Sequence, residues 1–404
     1  MIVYADNNAT TAIAPEVVEA MRPYFTAEYF NPSSMYDSSK PAADAITAAR
    51  QTVAKLLGVG ASRQILFTSC ATESNNAAIF GVTKAMPTRR HVITSAVEHP
   101  AVLEVCKELA RNDYEVTVLP VDRHGQIDMA DFVRALRPEQ TALVTIMHAN
   151  NETGVVFPIE EMSRLTKETE PDIVFHTDAT QTVGKIPIDL KNGMPHVDLL
   201  SFSGHKMHAP KGIGALFIRR GTPIRPYMIG GHQEEGRRAG TENVPYIVGL
   251  AKACELAQEH MPEEARVLAL RDRVEKGLID AIPHLEINGS GAIRLPNTLN
   301  VAVHYVEGEG MLYQLSASGV CASSGSACTS GSLEPSHVLM AMKVPFTAMH
   351  GSIRFSLSRY STDADIERIL EVFPGIVANL RRLSPYWDVK TNAPRRNADS
   401  QIGM

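Results

Sequence analysis

Between residues 65 and 260, short apolar runs alternate with segments of helical spacing, and few folds accommodate such a pattern. The runs cover residues 65–67, 91–95, 115–119, 142–147, 173–177, 199–202 and 215–218. Mostly continuous rather than alternating in polarity, they predict strands buried on both faces. Helical periodicity is visible in Ala45, Ala49, Val53 and Leu56, and again over residues 101–111, 159–168 and 244–259. Strands and helices in this order predict an α/β fold with a mostly parallel sheet covered on both sides.

From about residue 262 the texture changes. A charged helical stretch over 262–281 precedes strand-like residues 298–303, helix-like 309–318, strand-like 353–357 and a helix over 363–383. This predicts a smaller α+β domain. Residues 14–260 are therefore expected to form the large domain, and 1–13 with 261–384 the small one. Residues 385–404 read as a polar, poorly ordered tail.

Composition narrows the class further. With 404 residues the chain is long enough to build its core without disulfide or metal staples. Its net charge of −6 argues against a non-specific nucleic-acid binder. The five cysteines, Cys70, Cys106, Cys254, Cys321 and Cys328, contain no CxxC pair, which fits a reducing compartment. No run of about 18 apolar residues occurs and residues 1–30 carry no secretory pattern, so a soluble, cytoplasmic protein is expected.

Five segments at or near strand ends carry candidate chemistry, since open α/β sheets form their ligand crevices there. Residues 71–76 (Ala-Thr-Glu-Ser-Asn-Asn) could seat a phosphate on a helix N-terminus or be an ordinary cap. His99, in Glu98-His99-Pro100, could stack on a ring or move protons, or be a satisfied loop histidine. Residues 148–154 (His-Ala-Asn-Asn-Glu-Thr-Gly) offer a polar clamp or a plain Asx turn. Asp178 closes a buried strand, where a carboxylate needs a cationic partner such as a protonated pyridine nitrogen, or caps a helix. The sharpest is Ser203-Gly204-His205-Lys206, whose lysine is placed to form a Schiff base with an aldehyde. A metal site on His205 and His208 is a weaker alternative, because no third ligand follows at zinc spacing.

Taken in order, these motifs resemble the NifS/IscS-type cysteine desulfurases, class-V aminotransferases of pyridoxal-phosphate fold type I. The resemblance runs from residues 4–11 (Tyr-Ala-Asp-Asn-Asn-Ala-Thr-Thr) to 354–359 (Arg-Phe-Ser-Leu-Ser-Arg). It includes Asn31-Pro32-Ser33-Ser34, residues 236–243 (Gly-Arg-Arg-Ala-Gly-Thr-Glu-Asn) and residues 323–328 (Ser-Ser-Gly-Ser-Ala-Cys). It implies a seven-stranded, mostly parallel sheet in the large domain and pyridoxal 5'-phosphate as cofactor. Lys206 would hold that cofactor as a Schiff base, Asp178 pair with its pyridinium nitrogen, and His99 stack on the ring. Asn151 and Gln181 would sit near the 3-hydroxyl. Ala71, Thr72, Ser203 and His205 would bind the phosphate, with Thr241 reaching the phosphate of the neighbouring subunit in a homodimer.

Arg354, with Asn151, would bind the substrate, L-cysteine. Cys328 would be the nucleophile that becomes a persulfide, in a segment of Ser, Gly, Ala and Thr too small-sided to pack tightly. Cys321 reads as a small core residue. The implied sulfur acceptor is an iron–sulfur scaffold protein of the NifU/IscU type. No dedicated metal site is implied, although Cys328 would touch a nascent iron–sulfur cluster. Residues 240–245 (Gly-Thr-Glu-Asn-Val-Pro) look closer to the nitrogen-fixation branch than to the housekeeping one. Tyr36, Cys70 and Glu235 depart from the family pattern. Rival readings are a selenocysteine lyase, a kynureninase-like enzyme or an aminotransferase, none of which needs a travelling cysteine, and a non-catalytic cofactor-binding partner.

Overall fold

The computed structural model describes residues 2–324 and 335–395. In chain order its strands are β1 (Val3–Tyr4), β2 (Ile65–Thr68), β3 (His91–Ser95), β4 (Glu115–Leu119), β5 (Thr141–Thr145), β6 (Val174–Asp178) and β7 (Leu199–Ser203). There follow β8 (Gly214–Ile218), β9 (Leu285–Ile287), β10 (Thr298–Val303), β11 (Val320–Cys321), β12 (Ser352–Ser356), β13 (Trp387–Asp388) and β14 (Ala393–Pro394).

Seven of them form one sheet in the order β2-β8-β7-β6-β5-β3-β4. All neighbours in it are parallel except β8, which runs antiparallel to both β2 and β7. The expected mostly parallel α/β sheet is present.

Successive side chains explain why these runs lack alternating polarity. Phe67, Ile93, Val144, Phe175 and Leu200 enter the core on one face of the sheet. Their neighbours Leu66, Val92, Leu143, Val174 and Leu199 enter the core on the other. Both faces are dry, so every position favours an apolar residue. Burying one large side chain such as Phe175 contributes roughly 1.5–3 kcal/mol. The first face is covered by helices including Lys40–Leu56 and Val244–His260, the second by Ala71–Ala85 and Pro100–Arg111.

A third core lies around the antiparallel sheet β12-β10-β9, against the helices Glu264–Ala281, Gly308–Ala317 and Asp363–Leu383. The last of these starts on a capping box in which Thr362 and Asp365 satisfy each other's backbone N–H. The chain's first residues join this region: β1 pairs with β11, and Asn7 N–H donates to Ser356 O at 3.1 Å.

Two local expectations are corrected. The part of the tail within the described residues, 385–395, is ordered as a short hairpin, β13 against β14. Its anchor is Trp387, only 3% exposed, with the Arg381 guanidinium 4.4 Å from its ring centroid. Cys321 is half-buried at the end of β11 rather than sunk in the core.

Candidate active site

The carboxyl ends of the parallel strands open into a cavity of about 380 Å³. Strand order reverses between β3 and β5, and the chain segments after β2, β3, β5, β6 and β7 all reach this rim.

Lys206 follows β7 in a single 3₁₀ turn, Gly204–Lys206. A Cβ on Gly204 would stand 2.9 Å from that of Ala209, so the tight turn requires glycine. Lys206 Nζ donates to the carbonyls of Asn8 (2.6 Å) and Ala9 (2.7 Å). Beside it, His205 Nδ1 lies 3.1 Å from Thr10 Oγ1. Burial, with the nearby Lys206 and Lys211 cations, draws His205 down to about 4 and keeps it neutral.

Asp178, the last residue of β6, is buried yet fully engaged. Its Oδ2 accepts from Asn75 Nδ2 at 2.7 Å and its Oδ1 from Thr180 N–H at 2.9 Å. It caps a turn, not a helix. Asn75 comes from the helix Ala71–Ala85, whose start borders the cavity. At that helix's N-cap stands Cys70, which supplies no side-chain acceptor, while Glu73 turns back to Ser69 N–H and Arg238. The capping residues expected there do not cap, and the helix start at Ala71 and Thr72 is left with orphan N–H groups. Ser203 Oγ and Thr180 Oγ1 are also buried without a hydrogen-bond partner among the described residues.

His99 is itself the N-cap of Pro100–Arg111, accepting Ala101 N–H on Nδ1 at 3.1 Å. The proton of its neutral ring therefore sits on Nε2. Burial lowers its pKa, with Asp178 opposing. Asn150 accepts from Glu152 and Thr153 N–H (2.9 Å each), and Gly154 completes the turn at φ +78°. This is the plain Asx turn weighed above, but it also carries Asn151 to the cavity wall. The Asn151 carbonyl accepts from Arg354 at 2.9 Å and from Asn8 Nδ2 at 3.2 Å. Arg354, on β12, also pairs with Asp6 at 2.8 Å, and its Nε has no partner among the described residues.

Thus Ala71, Thr72, His99, Asn151, Asp178, Gln181, Ser203, His205, Lys206 and Arg354 converge on one cavity. Thr241 does not; it lines a separate pocket with Arg238 and Asn243. Cys328 lies outside the described residues.

Three participants had no role assigned from sequence: Lys185, and Asn8 and Asn75, which lie inside the motifs at residues 4–11 and 71–76. Asn8 is a hub. Its carbonyl accepts from Lys206 and from Gln181 Nε2 (3.2 Å), its Oδ1 from Asn297 and Lys185, and its Nδ2 reaches Thr298. The available signal was the pair Asn75-Asn76 just inside an expected helix start, because asparagine is a poor helix former; that Asn75 is wholly buried only the structure shows. Losing its bond to Asp178 would leave a buried carboxylate oxygen unpaired, at a cost of about 1–3 kcal/mol.

The family-model comparison matches residues 3–369 to "Aminotransferase class-V". A cysteine desulfurase of Trichormus azollae is 56% identical over 386 residues, 95% of each chain. The cysteine desulfurase NifS of Azotobacter vinelandii is 53% identical over the same share. The chain belongs to the cysteine desulfurases of the class-V aminotransferase family. Among solved structures, a NifS-like protein superposes on this desulfurase fold with a TM-score of 0.88 at 39% identity, covering 94% of this chain and 100% of its own. SspA in complex with cysteine does so with a TM-score of 0.77 at 37% identity, covering 89% and 99%. Desulfurases of this family depend on pyridoxal phosphate.

Glu98 beside the cavity gives a pH prediction. Its Oε1 accepts from Ser95 Oγ (2.7 Å) and Met147 N–H (2.9 Å), and its Oε2 has no partner. Burial pushes its pKa from 4.5 up to about 8. The folded state then keeps a proton that the unfolded chain releases. Its contribution is present below pH 4.5 and is lost as pH rises through 8. Glu98→Gln, which mimics the protonated acid, should match the parent's unfolding midpoint at pH 5 and exceed it at pH 9. A difference independent of pH would refute this.

Proposed function

We propose that the chain takes sulfur from L-cysteine, releases L-alanine and carries the sulfur as a persulfide on Cys328. The observation that carries this reading is the convergence of Lys206, Asp178, Ser203 and Arg354 on one cavity in a chain with desulfurase relatives of 50–56% identity. Support for the substrate comes from the related SspA, described in complex with cysteine.

The residues fit the family's cofactor. A helix start with orphan N–H groups at Ala71 and Thr72, the unpartnered Ser203 hydroxyl and neutral His205 suit a phosphate dianion. Thr241 serves the phosphate of the second subunit of a homodimer. Asp178, held by Asn75 and Thr180, would pair with a protonated pyridine nitrogen, while His99 would lie against the ring and Asn151 and Gln181 would serve its oxygen. Lys206 would hold the cofactor's aldehyde carbon, and its amine is the base we assign to the substrate's α-proton. When bound, pyridoxal phosphate supplies an electron sink for charge developing at the substrate's α-carbon.

Arg354 offers its unpaired Nε to the substrate carboxylate, with Asn151 beside it. Cys328 attacks as thiolate: its S–S bond forms as the substrate's C–S bond breaks, the electron pair staying on the carbon side, which leaves protonated as alanine. The persulfide passes to an iron–sulfur scaffold protein of the NifU/IscU type, and Cys328 is the residue that meets a nascent cluster. The Azotobacter NifS relative favours a role in nitrogen fixation. Among the described residues no helix is long and apolar enough to cross a membrane, and we place the reaction in the cytoplasm. Residues 14–260 form its large domain, and 1–13 with 261–384 its small one.

Incubation with L-cysteine and a thiol reductant tests the reading. Alanine and sulfide should appear in equal amounts. A protein that binds the cofactor yet makes neither would be a non-catalytic partner. Alanine without sulfide or protein-bound persulfide would point to another reaction.

A further inference from the structure

We propose that Lys185 is a positioning residue, which fixes the amide of Gln181 so that a donor N–H is presented to the ring oxygen of the cofactor. The proposal rests on the placement of Gln181 at that oxygen.

Lys185 stands one turn beyond Gln181, so the two side chains meet on one side of the backbone. Its side chain is only 8% exposed and does not line the large cavity. Nζ donates to Gln181 Oε1 at 2.8 Å and to Asn8 Oδ1 at 3.2 Å. Among the described residues it forms no ion pair, and Glu264 acts on it only from beyond contact distance. A buried lysine without a carboxylate partner adds little stability, so its presence calls for another reason.

Geometry supplies one. An amide side chain can flip between two orientations, exposing either an acceptor or a donor to the cavity. Lys185 removes the choice by claiming the oxygen. The amide nitrogen is then turned to the Asn8 carbonyl at 3.2 Å and keeps a second hydrogen to give. Asn8 is itself held, because its own Nδ2 donates to Asn151 O and Thr298 Oγ1. Burial and the Lys206 cation draw Lys185 down to about 7, yet this does not disturb the arrangement. Even uncharged, its two N–H groups match the two oxygens.

The test uses holoenzyme stripped of cofactor and titrated with pyridoxal phosphate. Gln181→Ala and Lys185→Met should each weaken binding about tenfold, as expected for one lost hydrogen bond to an ionised oxygen. In the double variant the Lys185 change should add nothing. With 3-deoxypyridoxal phosphate, which lacks the ring hydroxyl, Lys185→Met and the parent should bind alike. Lys185→Gln, polar but too short to reach both oxygens, should reproduce Lys185→Met and serves if the methionine variant fails to fold. An equal loss from Lys185→Met in the Gln181→Ala background, or with the deoxy analogue, would overturn the proposal. So would full affinity in Lys185→Met when Gln181→Ala is weakened. Full affinity in Gln181→Ala would instead remove the placement of Gln181 on which the proposal rests.

Discussion

Cys328→Ala is expected to lower sulfide release from L-cysteine by about 10³-fold or more, the loss typical of removing a covalent nucleophile. Cofactor and substrate binding should survive, because the proposed function assigns them to Lys206, Asp178 and Arg354. The yellow colour and its change on adding L-cysteine should therefore persist while turnover stops. Of the other thiols, most are unsuited to replace Cys328. Burial pushes Cys106 up to about 12 and raises Cys254 as well, so neither supplies a thiolate near neutral pH. Cys321 is half-buried and paired with Tyr4 on β1. Cys70 alone among the described cysteines borders the cavity. Residual activity abolished by adding Cys70→Ala would identify it as a secondary acceptor. Turnover near that of the parent in Cys328→Ala would reassign the nucleophile.

The second large effect belongs to Lys206. Lys206→Ala should lose about 10⁴-fold or more in turnover, since the proposed function gives this lysine both attachment and proton abstraction. Borohydride treatment should no longer fix a pyridoxyl label to the chain. Non-covalent binding should remain, because the residues proposed for the phosphate and for the ring nitrogen are separate from Lys206. Lys185 is no replacement, buried as it is behind Gln181 and outside the cavity. The fold should tolerate the change, because the Asn8 carbonyl that Lys206 leaves still accepts from Gln181, and the Ala9 carbonyl belongs to a half-buried residue that water can reach. Unchanged labelling by borohydride in Lys206→Ala would show that another lysine carries the cofactor.

Much of this molecule was legible in its sequence. All seven strands of the large sheet fall within a residue or two of the apolar runs; in six of them every position is buried, so burial is written into each residue, whereas the edge strand β4 is partly exposed and shows through its valines and threonine. The motif residues fall at strand ends for a related reason: hydrogen bonding to the sheet stops there, and backbone and side chains turn to the crevice. The resemblance supplied roles for those residues, and local pattern alone left each with a bland alternative.

Other features only the tertiary structure decided. Nothing local marks β8 as the strand that reverses direction, since an apolar run reads the same either way. Trp387 is anchored by Arg381 and Tyr305, residues that a polar-looking tail does not advertise. Above all, the hub at Asn8 joins residues 173 and 198 positions away, and Asn75 meets Asp178 across 103. Periodicity reports which side of an element faces solvent. It carries no information about which buried donor finds which acceptor, because that pairing exists only once the packed elements bring them within about 3 Å.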